Sequence, residues 1–244
     1  MGDKSMGLHD ITDLVASGDY AGVTINYRLS GEAIWPAQIH DCKAAIRWVR
    51  ANAQKYNLDP ERIGVIGGSA GGHLVAMLGT SGGVESLEGD LGSHKGTSSR
   101  VQCVVDQFGP TDFLAMDDYP SRQDHNATDS PESKLIGGAL QEHKEQARAA
   151  SPITYVSRDD PPFLIIHGDQ DPLIPINQSE RLHEALKKAG VESLFFKVQG
   201  AGHGGFRNPE VAKRIRQFFE KHLRGQKETI SEDPVPNEPA KPGP

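Results

Sequence analysis

The chain has 244 residues, a formal net charge of −7 and a pI near 5.8, with no lysine/arginine cluster, which argues against a nucleic-acid or anionic-membrane surface. No apolar run approaches membrane-spanning length, and the start, Met1-Gly2-Asp3-Lys4-Ser5, lacks the hydrophobic stretch of a signal peptide. The length suits one α/β domain, and Cys42 and Cys103 fall on apolar faces where buried free thiols are expected rather than a disulfide.

Leu8, Ile11, Leu14 and Val15 recur at helical spacing, with Gly18 as a stop. Tyr20 to Tyr27 reads as a strand, and Arg28 to Pro36 as a loop whose proline opens a helix. From Gln38 to Tyr56, Ile39, Cys42, Ile46, Val49 and Ala53 form an apolar stripe, the mark of an amphipathic helix. Ile63 to Ile66 is a short β-branched run, the composition of a strand buried on both faces. Gly67-Gly68-Ser69-Ala70-Gly71 then fits G-x-S-x-G, and His73 to Leu78 continues as a helix with Leu74, Val75 and Leu78 on one face.

Ser81 to Arg100 is Gly/Ser-rich and charged, a surface loop, and Val101 to Phe108 is a further strand. Residues 109–161 form a cap-like excursion punctuated by prolines, with one helix at Gln141 to Ala150. Phe163 to His167 is a buried strand, and Asn177 with Glu180 gives a capping-box-like entry to a helix over 178–189. Ser193 to Val198 is the last strand, and Asn208-Pro209 opens the last helix. Prolines 234, 236, 239, 242 and 244 and the scarcity of apolar residues mark 226–244 as a disordered tail after a domain spanning 1–225.

Strands alternating with helices imply a mostly parallel sheet with helices on both faces, and ligands bind beyond the carboxyl ends of such strands. The loops there hold Ser69, Asp112, Asp169 with Asp171, and His203. A strand, a tight glycine turn with a serine at its apex and a helix make the context of a nucleophile elbow. An activated serine needs a base within hydrogen-bond reach, and the base needs a carboxylate to fix its tautomer. Among ten histidines, only His203 lies in a loop after the last strand. Asp171, midway along its loop, is the preferred acid; Asp169 braces the turn, and Asp112 is the rival. The serine projects at a helix N-terminus, where unpaired N–H groups and the helix dipole favour developing negative charge. His73 packs behind the serine, His167 is a satisfied structural histidine, and His9, His94, His125, His143 and His222 read as surface residues. This chemistry calls for neither metal nor organic cofactor.

Asn26 to Ser30, Trp35 to Cys42, Gly67 to Leu74, Phe108 to Phe113, Pro161 to Pro175 and Gly200 to Gly204 together resemble an α/β-hydrolase esterase, similar to the bifunctional feruloyl and acetyl-xylan esterase type within the hormone-sensitive-lipase-like group. The resemblance covers about residues 3 to 223 and implies Ser69 as nucleophile, His203 as base and Asp171 as acid. It implies an architectural role, as an ion pair, for Arg28 and Asp41. It implies a small-molecule or carbohydrate ester as substrate, with acetyl or feruloyl esters of plant polysaccharide foremost. Such esterases carry a His-Gly-Gly-Gly-Trp-type segment ahead of the region matching Asp3-Lys4-Ser5, on a strand between those equivalent to 20–27 and 62–66. The N-terminal strands are therefore expected to be missing here, and with them every oxyanion donor but Ala70. A prolyl-oligopeptidase-like peptidase and a catalytically impaired remnant are the alternatives.

Overall fold

The computed structural model describes residues 3–238. Strands β1 (Gly64–Gly68), β2 (Cys103–Gln107), β3 (Phe163–Gly168), β4 (Ser193–Gln199) and β5 (Val235–Pro236) form one sheet in the order 1-2-3-4-5, every neighbouring pair parallel. The helices are α1 (Leu8–Ala16), α2 (Ala37–Ala51), α3 (Ala70–Thr80), α4 (Glu85–Glu88), α5 (Pro131–Ile136), α6 (Lys144–Ala149), α7 (Asn177–Ala189) and α8 (Pro209–Arg224). Because successive strand residues point to opposite faces, the apolar strands feed two cores. Val104, Phe163 and Ile165 pack with Ile39 of α2, Leu74 and Leu78 of α3, and Leu182 and Leu186 of α7. On the other face Cys103, Val105, Leu164 and Ile166 meet Leu14 of α1 and Val211, Ile215 and Phe218 of α8.

Sandwiched between sheet and α2, helix α3 is buried all round from Gly72 to Thr80, not on one face alone. Pro209 at the first helical position and the Asn208 side chain accepting from Glu210 N open α8 as its sequence requires. Cys42 and Cys103 are buried free thiols; burial pushes the Cys42 thiol up to about 12.

Several expectations are corrected. Tyr20 to Tyr27 forms no strand, since a ladder needs a partner and none of the described residues pairs with it; β1 hydrogen-bonds only to β2. Ile25 and Tyr27 pack against the first core instead, and Arg28 joins Asp41 through two guanidinium nitrogens and its backbone N–H. The first strand starts one residue later than predicted and ends two later. Its glycines still pair in register, Gly67 beside Asp106 and Gly68 beside Gln107.

The tail is the larger correction. Val235 is buried against the second core and pairs with Val198. The carboxylate of Glu232 accepts from Phe195 N, and Arg214 donates to the carbonyl of Asp233. The strand edge of β4 offered backbone partners that composition alone does not reveal. Residues 239–244 of the predicted tail lie outside the described residues. The predicted helix over 141–150 narrows to 144–149. Asn177 does not cap α7: its side chain donates to the carbonyl of Ala115, tying the excursion to that helix.

Candidate active site

Parallel strands bring their carboxyl ends to one rim, and the site is assembled from what each strand releases there. β1 releases Ser69 into a turn with φ +55° and ψ −121°, a backbone strain that only a fixed surrounding sustains. The glycines that permit it differ in function. A Cβ on Gly67 would lie 2.5 Å from the carbonyl oxygen of Gly71, and one on Gly72 would lie 2.5 Å from Asp106 Oδ1 and 2.8 Å from the carbonyl of Gln107. One on Gly71 would meet nothing. Close approach of α3 to the sheet therefore rests on Gly67 and Gly72. Ser69 N is anchored to the carbonyl of Gln107, and Ala70, exposed, opens α3, where first-turn N–H groups have no partner within the helix.

β4 releases His203, whose Nε2 lies 2.8 Å from Ser69 Oγ and whose Nδ1 lies 2.8 Å from Asp171 Oδ2. A carboxylate only accepts, so Nδ1 carries the hydrogen and Nε2 is left to accept from the serine hydroxyl. β3 releases Asp171, whose side chain is fully buried; Oδ1 accepts from Leu173 N at 2.8 Å and Ile174 N at 3.0 Å. Burial pushes its carboxyl up, but hydrogen bonds from His167, His203 and Leu173 N–H outweigh it and hold the group well below the usual carboxylate range.

The other candidates lie elsewhere. Asp112 is held by Arg181 Nε and Nη2 at 3.0 and 2.7 Å, away from the imidazole. Asp169 accepts from Gly200 N at 2.7 Å, bracing the β3 loop against the β4 loop. His73 is buried on α3 with Nε2 2.7 Å from the carbonyl of Ala150, between the rings of Trp35 and Phe113; burial lowers its pKa to about 4. His125 is not a surface residue: it is fully buried, Nδ1 3.1 Å from Glu132 Oε2, because the excursion folds back on itself.

Three features escaped the sequence reading. Phe108, at φ +46°, places its ring edge-on to His203 with centroids 4.7 Å apart. Asp106 on β2 is buried beside the serine turn; Gly109 N donates to Oδ1, Oδ2 has no partner among the described residues, and burial pushes its pKa up to about 7. His167 reaches Asp171 as well as its own structural partners. Only the period-two placement of Asp106 inside an apolar strand could have signalled its burial. Among the described residues no group of His, Cys, Asp and Glu is arranged to hold a metal, and no helix is long and apolar enough to cross a membrane.

A serine on a strand–turn–helix, with a histidine and a carboxylate brought to it by later strands of a parallel sheet, places the chain in the α/β-hydrolase fold class. Residues 2–186 match the family model described as BD-FAE, and the chain belongs to that family. It is 31% identical to Esterase LipC of Mycobacterium tuberculosis over 237 residues, 95% of this chain and 58% of that protein. It is 32% identical to Esterase LipQ of the same organism, covering 81% of this chain and 47% of that one; the chain thus spans about half the length of these curated relatives. A solved structure described as a truncated form of carbohydrate esterase from gut microbiota superposes with TM-score 0.84 at 40% identity, covering 91% of this chain and 80% of that one. An acetyl ester-xyloside bifunctional hydrolase from Caldicellulosiruptor lactoaceticus superposes at 0.68 with 26% identity, covering 87% of this chain and 74% of that one.

Proposed function

We propose that the chain is a serine carboxylic-ester hydrolase. The observation that carries this reading is the unbroken hydrogen-bond line from Ser69 through His203 to Asp171, with 2.8 Å at each step. In the reaction Ser69 Oγ attacks the ester carbonyl while His203 Nε2 takes its proton, and the proton then passes to the leaving alkoxide as the C–O bond breaks. Asp171 fixes the Nδ1–H tautomer and stabilises the imidazolium. The Ala70 N–H, at the positive end of α3, donates to the developing oxyanion. Water, deprotonated by the same imidazole, then attacks the acyl-enzyme and frees Ser69. His203 lends itself to this because its ring is partly open to the solvent side while Asp171 is fully enclosed.

We further propose that the substrates are acetyl or feruloyl esters of plant polysaccharide. The support is the carbohydrate esterase and the acetyl ester-xyloside hydrolase among its structural relatives. The test is turnover of p-nitrophenyl acetate by parent and Ser69→Ala. A loss of about 10⁴-fold or more in kcat is expected of the variant, and parent-like turnover would refute the assignment. Acetate release from acetylated xylan, run beside methyl ferulate cleavage, separates the two acyl groups.

A further inference from the structure

The carboxylate of Asp171 has two imidazoles on it, and the relay just described uses one. His167, on β3, is fully buried, with Nε2 2.9 Å from the carbonyl oxygen of Ile174 and 3.3 Å from Asp171 Oδ2. Its Nδ1 lies 2.7 Å from Ser179 Oγ on α7. A carbonyl oxygen can only accept, so Nε2 carries the ring hydrogen and shares it between Ile174 and Asp171. Nδ1 of the neutral ring then accepts, and the Ser179 hydroxyl donates to it. Five side chains stand in line: Ser69, His203, Asp171, His167 and Ser179.

We infer that His167 is a positioning residue for ester hydrolysis, its Nε2–H holding the Asp171 carboxylate in place and drawing off part of its negative charge, so that it sets how firmly His203 keeps a proton. This rests on the reading of Ser69, His203 and Asp171 given above. The physical basis is a competition for one oxygen. Oδ2 receives His203 at 2.8 Å and His167 at 3.3 Å, while Oδ1 is taken by the N–H groups of Leu173 and Ile174. An undiluted carboxylate would stabilise the imidazolium of His203 more strongly and make it a poorer proton donor to the leaving group.

Among the described residues, the other charged and titratable groups at this rim include Asp106, Asp169, Asp112 and Glu180. Asp106, on neighbouring β2, receives Gly109 N at Oδ1, has no partner on Oδ2 and meets the serine turn through Gly72 and Gly109, so an Asp106→Asn background serves as the control for its titration. Asp169 accepts from Gly200 N, Asp112 is paired with Arg181, and Glu180, next to Ser179 on α7, is paired with Lys197. Phe108 contributes only its ring, 4.7 Å from His203 and 6.3 Å from His167 between centroids. Among the described residues, the other donors on the Asp171 carboxylate are His203 and the N–H groups of Leu173 and Ile174, so removing His167 takes away one of its two side-chain donors.

The experiment is the pH dependence of kcat and kcat/KM on p-nitrophenyl acetate for the parent, His167→Leu, His167→Gln and Ser179→Ala, with Ser69→Ala as blank. In His167→Leu the acid limb is expected to move to higher pH by roughly 0.5–1 unit, with kcat about tenfold lower and KM close to the parent's. His167→Gln, whose amide nitrogen reaches the same two acceptors, is expected to recover most of both. Ser179→Ala weakens the donor and moves the limb the same way by less. A folded His167→Leu with the parent's acid limb would overturn the inference; if that variant does not fold, an unmoved limb in Ser179→Ala does so. A fully active Ser69→Ala would instead remove the hydrolase reading beneath it, an outcome separate from an inactive Ser69→Ala with unmoved limbs elsewhere.

Discussion

Asp171 and Asp106 sit at the same rim of the sheet, one on the β3 loop and the other on neighbouring β2, and both are buried. Asp171 collects two backbone N–H groups and two imidazoles and is driven well below the usual carboxylate range. Asp106 collects only Gly109 N and is pushed up to about 7. Asp106 is the more deeply enclosed of the two and has the fewer donors, and the two pKa values move in opposite directions. Desolvation raises both carboxyls, and at Asp171 the hydrogen-bond donors outweigh it.

Asp171→Asn tests the ionised side of this comparison and carries the largest effect. An amide presents a donor where Nδ1–H needs an acceptor, so the wrong tautomer results, and kcat on p-nitrophenyl acetate should fall by about 10³–10⁴. The rival Asp112→Asn should stay within about threefold of the parent, since its carboxylate serves Arg181. A reversal of those two results would move the acid to the β2 loop.

Asp106 tests the neutral side through stability. Its folded pKa is raised to about 7, above the unfolded value near 3.9, so its contribution is fully present below pH ~4 and is lost as pH rises through about 7. His73 has the opposite sign. Its pKa falls to about 4 from about 6.5 in the unfolded chain, so its contribution is complete above pH ~6.5 and lost as pH falls towards 4. Each slope approaches about 1.4 kcal/mol per pH unit inside its window. Urea unfolding between pH 4 and 7 should therefore show Asp106→Asn gaining stability with pH relative to the parent. His73→Gln should lose it relative to the parent. Parallel curves for parent and variants would show that neither side chain's pKa differs between the folded and unfolded chain.

Gly72→Ala sharpens the same comparison from the side of α3. Its Cβ would press on the Asp106 carboxylate and the carbonyl of Gln107, whereas Gly71→Ala meets nothing. Thermal or urea unfolding should show a loss of about 2–3 kcal/mol for the first and a change within about 1 kcal/mol for the second. A loss slightly below that of Gly72→Ala belongs to the far edge of the sheet. Val235→Ala removes two methyl groups buried against the second core and should cost about 1.5–2.5 kcal/mol. A silent Val235→Ala would return the tail to the description its composition suggested.

The sheet core was legible because Phe163 to His167 and Ser193 to Val198 are apolar runs of strand length, and the loops they release followed from parallel order. Ser69, His203 and Asp171 could be singled out because a tight strand–helix turn needs glycines and the other two lie past later strands. What was not legible depends on partners distant in sequence. Tyr20 to Tyr27 has strand composition but no ladder to join, while Val235, in a proline-rich stretch, finds the open edge of β4. His125 looked solvated until Glu132 closed over it. The second imidazole on Asp171 comes from strand register and loop length together, which no local pattern states.

The most direct measurement is mass-spectrometric mapping of the residue modified by a fluorophosphonate probe, which reacts with a serine whose hydroxyl is activated by a neighbouring base. The expected result is a single adduct on Ser69 in the parent and its near absence in His203→Gln. A folded parent that takes no label, or takes it on another serine, would contradict the assignment of Ser69 as the nucleophile.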